Sequence, residues 1–376
     1  MIYLDNSATT RMDEDVLDAM LPWMRDSYGN ASSIHSLGRA ARVAVENART
    51  EIALLMNAHP AELIFTSGGT EADNTVLKSM YAESALVRRI VVSATEHHAV
   101  LHPAEEMAAH GTDVDVIGVD ADGRVRPDEV ARYDQASCLV SIMHANNETG
   151  VIQPIAALRE RIPSAYIHTD AVQSFGKIPV DVKALGVDFA TVSAHKIHGP
   201  KGIGALFIRK GIDFKSHQQG GAQERNRRAG TEAVALIVGF QAAARKAHAR
   251  MDAHAAHMTS CTTLLRDLLV RTIPEIRFNT PANGVLPHIL NVSFLDADRL
   301  DGEAILQAMD IAGVAVSNGS ACVSGSQQPS HVLSAMGLSA AEARAAIRFS
   351  VSKDTTHDEI RSSVAILAEI VRNMRV

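Results

Sequence analysis

Between residues 63 and 208, short apolar runs alternate with amphipathic ones, and this alternation restricts the fold more than any other feature. RIVVSAT, DVDVIGVD, CLVSIMHANNETG, AYIHTDAVQS and DFATVSAHK each read as a strand, with helical segments such as HPAEEMAAHG and PIAALRERI between them. A chain that repeats strand, helix, strand folds into a largely parallel sheet with helices on both faces. Ligands of such sheets sit beyond the carboxyl ends of the strands. Polar residues gather there: Glu96, His97, Asn146, Asn147, Glu148, Asp170, Gln173, Ser193, His195 and Lys196. A sheet does not need so many for its own stability, so the pattern predicts a site.

The flanking segments read differently. DEDVLDAMLPWM and HSLGRAARVAVENARTEIALLM carry apolar residues at three- and four-residue spacing, which predicts helices joined by the polar link SYGNASSIHS. From about residue 258 a helix (CTTLLRDLLVRTI), a strand (HILNVSFL), a helix (GEAILQAMDIAG), a strand (VAVS) and a further helix predict a compact α+β unit. For 376 residues two domains are expected, a large one over 12–255 and a smaller one built from 1–11 with 256–376. A net charge of −7 argues against nucleic-acid binding, since no basic patch dominates. No apolar run reaches the ~18–20 residues that span a bilayer. The opening MIYLDNSATTR carries no leader, and three cysteines make no disulfide framework, so a cytoplasmic protein is expected.

Lys196 is the centre of the predicted site. It follows the buried run DFATVSAH and precedes HGPKGIGALF, where Gly and Pro force a turn. Desolvation favours a lysine's neutral amine, the form that attacks carbonyls. A strand-end cation reaching solvent is the other reading. In ELIFTSGGTEADN a strand over 63–65 passes through Ser67, Gly68, Gly69 and Thr70 into a helix, which aims free N–H groups at an anion. Thr70 is placed to cap that helix and to offer a hydroxyl to a phosphate. The stretch lacks G-x-x-x-x-G-K-[ST] and G-x-G-x-x-G, so one phosphate suits it better than three; a capped turn without a ligand fits it too.

Asp170 follows the apolar AYIHT, where a carboxylate needs a cation such as a protonated ring nitrogen, or serves as the N-cap of a helix over AVQS. Arg225, Arg227 and Arg228 lie in a Gly-containing loop, free for solvent, an anion or a neighbouring subunit. His248, His254 and His257 make no complete metal-ligand set, and no metal is expected. Cys138 and Cys261 read as structural, whereas Cys322 lies in SNGSACVSGSQQPSH, small and polar, which predicts an exposed and reactive thiol. Arg348 in RAAIRFSVS is an arginine among apolar neighbours, suited to a carboxylate in its bidentate fork.

With these residues in hand, the chain resembles the cysteine desulfurases, the NifS/IscS-like branch of the class V aminotransferase family. The resemblance runs through YLDNSATT, GNASSIHSLGR, TSGGTEADN, ATEHHAV, NNETG, HTDAVQSFGK, SAHKIHGPKG, QERNRRAGTE, SNGSACVSG and IRFS, nearly the whole length, with RRAGTE and SNGSACVSG nearer the NifS side. It implies an α/β chain of the type I pyridoxal-phosphate (PLP) fold, with a smaller α+β C-terminal domain, working as a homodimer. Lys196 would hold the cofactor as a Schiff base. Gly69, Thr70, Ser193 and His195 would hold its phosphate region, with Thr231 reaching it from the other subunit. Asp170 would pair with the ring nitrogen, His97 would stack on the ring, and Gln173 and Asn147 would meet the phenolic oxygen and the substrate. Arg348 would clamp the carboxylate of L-cysteine. Lys196, with His97, would move the Cα proton, and Cys322 would take the sulfur as a persulfide while alanine leaves.

The implied use is sulfur supply for iron–sulfur clusters through a scaffold protein, nitrogenase-type or general, with tRNA or DNA modification as another outlet. Two departures bear on this. Asn226 stands where a glycine is expected after QER, and the chain stops at NMRV, without the longer tail with which general-purpose members dock a scaffold. A selenocysteine lyase or another class V aminotransferase shares the fold, but neither needs a thiol at Cys322. A non-catalytic protein of this fold and a metal hydrolase on His97, His98 and His102 are more distant readings.

Overall fold

The computed structural model describes residues 1–82, 87–319 and 329–375. After a short β1 (Ile2–Tyr3) come α1 (Glu14–Arg25) and α2 (Ser36–Leu55), then a seven-stranded sheet. Its strands are β2 (Leu63–Thr66), β3 (Arg89–Ser93), β4 (Asp113–Ile117), β5 (Cys138–Ser141), β6 (Tyr166–Asp170), β7 (Phe189–Ser193) and β8 (Gly204–Ile208). The spatial order is β2-β8-β7-β6-β5-β3-β4. Strands β3 to β7 run parallel; β8 is antiparallel to both β7 and β2, so it alone runs against the rest. The sheet is thus mostly parallel, as the alternation predicts.

Both faces of this sheet are covered, which is why β5, β7 and β8 are buried along their whole length instead of alternating with polar residues. The pleat still sorts side chains by face. Ile90, Val92, Leu139 and Phe189 pack with α3 (Gly69–Ala82) and α4 (His98–Ala109) through Val76, Leu77, Val100 and Ala104. Val91, Val140, Ile167 and Ala190 pack on the opposite core with Met20 of α1, Ile52 of α2 and Phe240 of the helix Val234–Ala249. Each fully buried apolar side chain of this size contributes roughly 2 kcal/mol.

A second core forms around β9 (Ile276–Phe278), β10 (Ile289–Phe294) and β12 (Ile347–Ser350), an antiparallel sheet in the order β12-β10-β9. The helices Met251–Thr272 and His357–Met374 lie over it, and Leu4 is buried in the same cluster. β1 pairs with β11 (Val314–Ala315), and Asp5 bridges to Ser350, so the first residues of the chain join elements 300 positions later. The N-terminal strip then runs back to the large sheet, where Thr10 donates to the carbonyl of His195.

The strand order reverses between β3 and β5, because β4 lies on one side of β3 and β5, β6 and β7 follow on the other. Such a switch opens a crevice at the carboxyl ends of the two strands. Residues 94–98 leave β3 there, 142–149 leave β5, 171–176 leave β6 and 194–199 leave β7.

Candidate active site

A cleft of about 420 Å³ opens at that switch point. Its walls include Gly69, Thr70, His97, Asn147, Asp170, Gln173, His195, Lys196 and Arg348, nine of the twelve residues to which the resemblance gives a role. Ser193 does not line it: its side chain is buried, with its Oγ 3.5 Å from the carbonyl of Ile203. Thr231 is exposed and outside the cleft of its own chain. Cys322 lies outside the described residues, as do its neighbours 320–328.

Lys196 ends the single helical turn that follows β7. Its Nζ donates to the carbonyls of Ser7 (2.5 Å) and Ala8 (2.7 Å), not to a carboxylate. Burial lowers its pKa to about 8, Arg348 adds to the effect, and Asp170 and Asp5 oppose it. The strand-end lysine is therefore turned into the cleft, and its neutral form is accessible near neutral pH.

Asp170 closes β6 and is 7% exposed, with Oδ1 accepting from Val172 N at 2.8 Å. Residues 171–176 form turns, not a helix, so the N-cap expectation does not hold. Burial raises Asp170 to about 6, against the pull of Lys196. Beneath it lies Asp73, which burial and then Asp170 push well above the carboxylate range. Its Oδ1 stands 3.5 Å from His168 Nε2, but burial keeps His168 neutral, at about 3. Of the two carboxyls, Asp73 is pushed further above the carboxylate range, while the Val172 N–H and Lys196 favour the charged form of Asp170.

His97 is the N-cap of α4: its Nδ1 accepts from Ala99 N at 3.1 Å, which assigns the proton to Nε2. Burial, then Lys196, lowers it to about 4, so the ring is neutral. Arg348, also in the cleft wall and 4% exposed, donates from Nη2 to Asp5 Oδ1 (2.7 Å) and from Nη1 to the carbonyl of Asn147 (2.9 Å), while its Nε has no partner. Gln173 donates to the carbonyl of Ser7 at 2.9 Å and leaves Oε1 unpartnered.

The anion-facing turn differs from its prediction in one respect. Helix α3 already starts at Gly69, so Thr70 stands in its first turn and is not the cap. Ser67 N donates to Glu71 Oε2 at 2.8 Å, and Glu71 is held by Arg228. Arg225 pairs with Glu46 at 3.1 Å, and Arg227 donates to the carbonyl of Ala61, so each of these arginines has a partner in its own chain. Asn226 has φ of +63° and follows Glu224 and Arg225 at +45° and +59°, the left-handed backbone for which a glycine is the easier residue. Buried Glu224 pairs bidentately with Arg49, which ties this strained loop down.

Among the described residues, the histidines of the helices at 248–257 form no metal-ready group; His257 Nε2 meets the carbonyl of Thr355 instead. The group that could hold an ion, Asp13, His198 and Asp354, already contains a carboxylate paired with Lys246 and Lys353. Sequence reasoning did not single out Asp5, the carbonyls of Ser7 and Ala8, or Asp73. Their signals are faint: a polar strip after β1, and an acid three residues past Thr70.

The aminotransferase class-V family matches residues 2–362 of the chain. A protein of Dictyoglomus turgidum named cysteine desulfurase IscS is 42% identical over 382 residues, covering 100% of this chain and 95% of the relative. A solved structure titled NIFS-like protein superposes with a TM-score of 0.91 at 35% identity, covering 99% of each chain. The structure of DndA from Streptomyces lividans has a TM-score of 0.78 at 40% identity, covering 93% of this chain and 99% of that one.

Proposed function

The chain belongs to the class-V aminotransferase family, and we infer that it is a PLP-dependent cysteine desulfurase, converting L-cysteine to L-alanine and leaving the sulfur as a persulfide on Cys322. One observation carries the reading: Lys196, Asp170 and His97 meet in one cleft, together with Gly69 and Thr70 of α3 and with Arg348.

The residues fit the cofactor. Gln173 Oε1 and Arg348 Nε are buried without partners, and a Cβ on Gly69 would come within 2.8 Å of Val172 Cγ2, so this helix start has backbone and no side chain to offer. Gly69, Thr70 and His195 would hold the phosphate, its charge set at the amino end of a 14-residue helix. Asp170, whose charged form Lys196 favours, would hold the ring nitrogen protonated. Gln173 would meet the phenolic oxygen, and His97 would lie on the ring. Bound there, the cofactor supplies the electron sink that lets the Cα–H bond of cysteine ionise.

The chain's own residues do the rest. With a pKa of about 8, roughly one Lys196 in ten is neutral at pH 7, against about one in three thousand for an ordinary lysine. Lys196 carries the Cα proton, and neutral His97 is the second group able to take it. Arg348 receives the substrate carboxylate beside Asn147, with Nε the guanidinium nitrogen still without a partner. The Cys322 thiolate attacks the substrate sulfur; the carbon–sulfur bond breaks, the carbon takes a proton and leaves as alanine, and the sulfur stays on Cys322.

We place the domain boundary at 12–255 against 1–11 with 256–376, because Leu4 packs with the second core. A homodimer is supported by the exposed apolar side chains Met24, Tyr28, Ile34 and Val43 around α1 and α2, and by Thr231, which has no role in its own cleft. Cytoplasmic iron–sulfur scaffolds, nitrogenase-type included, are the acceptors we favour; no helix among the described residues is long and apolar enough to cross a membrane. The test is release of alanine and sulfide from L-cysteine with a reductant, wild type against Cys322→Ala, recording the yellow absorbance of both. Both should be yellow and only wild type should turn over. Full activity in Cys322→Ala would remove the persulfide step, and colourless protein after adding PLP would remove the cofactor.

A further inference from the structure

Glu148 is 2% exposed and lines the cleft, yet nothing assigned above uses it. Its backbone is fixed: its N–H donates to Asn146 Oδ1 (2.8 Å), and its carbonyl accepts from Asn291 Nδ2 (3.2 Å). The preceding carbonyl, of Asn147, receives Arg348 Nη1. A carboxylate buried on so rigid a turn is costly unless it holds something.

It meets the chain at two points, with a hydrogen bond at one and by packing at the other. Oε2 accepts from Ser330 Oγ at 2.5 Å, and the same hydroxyl receives Leu333 N at 3.2 Å to start the helix His331–Ala335. The Cα of Gly319 lies against the carboxylate so closely that a Cβ would come 2.9 Å from Oε2. Gly319 has φ of +92°, and its N–H donates to Ser317 Oγ (3.1 Å), two residues after a backbone pair between Ser317 and Arg348. Gly319 and Ser330 stand on either side of Cys322 in the sequence, three positions before it and eight after it.

We propose that Glu148 is a positioning residue for sulfur transfer: its carboxylate bonds Ser330 and packs against Gly319, the described residues on either side of Cys322, on the turn that also anchors Arg348. The thiol and the carboxylate clamp are thereby referred to one rigid element. Three peptide units reach no more than about 11 Å, so fixing Gly319 limits the volume the thiol can visit and raises its effective concentration at the substrate sulfur. The inference rests on the desulfurase reading.

The test uses PLP-loaded wild type, Glu148→Ala, Glu148→Gln and Ser330→Ala. Single-turnover persulfide formation on Cys322 is read by mass spectrometry, beside KM for L-cysteine and the yellow absorbance. In Glu148→Ala the persulfide should form about tenfold or more slowly, while KM stays within about threefold and the absorbance is kept. Glu148→Gln should recover most of the rate, because its amide oxygen still accepts from Ser330; Ser330→Ala should fall between, and it decides the matter if Glu148→Ala does not fold. In substrate-free protein, iodoacetamide should alkylate Cys322 several-fold faster in Glu148→Ala, a readout independent of turnover. A wild-type persulfide rate in Glu148→Ala or in Ser330→Ala overturns the proposal. So does a loss of absorbance and KM in step with the rate, which makes Glu148 merely structural. Wild type without any persulfide on Cys322 fails the desulfurase reading itself, an outcome the variants cannot imitate.

Discussion

At the scale of single residues, burial moves Lys196 and Asp170 toward neutral pH and keeps His97 uncharged. Lys196 is lowered to about 8 by desolvation and by Arg348, and Asp170 and Asp5 push it back. The reactive form is the neutral amine, and its fraction grows as pH rises through the pKa. Uptake of PLP by the apoprotein, followed by the yellow absorbance, should therefore speed up from pH 6 and level off above about pH 9. Asp170→Asn removes an anion that favours the ammonium, so its inflection should move to lower pH; Arg348→Ala removes a cation and leaves Asp5 uncompensated, so its inflection should move higher. A flat profile, or one inflecting near an ordinary lysine's 10.5, would show that the amine is not desolvated as the cleft requires.

At the scale of elements, the strand–turn–helix at β2 and α3 does most to set where an anion sits. Gly69 is required there by packing, since an added methyl would meet Val172 Cγ2 at 2.8 Å. Gly69→Ala should strain the first turn by roughly 1–3 kcal/mol and weaken PLP binding about tenfold for each 1.4 kcal/mol that falls on the bound state. Val172→Ala in the same chain opens the space and should restore affinity, a coupling that direct neighbours show and distant sites do not. Titration of apoprotein with PLP checks both, and unchanged affinity in Gly69→Ala would move the phosphate away from α3. This element was legible in the sequence, as was Lys196, because both are signalled within about ten residues by apolar runs meeting Gly and Pro. What was not legible is set by distance. Lys196 is gripped by carbonyls 188 and 189 residues away, and Arg348 by Asp5 across 343. Ser193 ends a strand in the right place, but its side chain turns into the protein instead of the cleft, a choice made by the strand's pleat. Asp73 was hidden because a helix's second acid reads as solvated until the sheet beneath it is seen.

At the scale of the whole molecule, the N-terminal strip links the two cores. Leu4 is packed in the second core, Asp5 holds Arg348, and the carbonyls of Ser7 and Ala8 hold Lys196 in the first. One chain thus assembles most of the cleft, and Thr231, exposed and outside it, is the expected residue left without work. If two chains pair so that Thr231 serves the other's cleft, a C2 dimer contains two composite sites, each with Lys196 from one chain and Thr231 from the other. Lys196→Ala should be inactive, and Thr231→Asp should be nearly so, because a carboxylate would face the cofactor phosphate. Mixed after reversible dissociation, the two variants form hetero-dimers with one site that carries both defects and one that carries neither. Random exchange makes half the dimers mixed, so about a quarter of wild-type activity should return. No recovery, in a mixture shown by differential tags to contain hetero-dimers, means that Thr231 does not act across the interface. Each variant alone should still run as a particle of twice the 40.3 kDa chain; if wild type runs at the mass of one chain, the composite site is excluded whatever the kinetics.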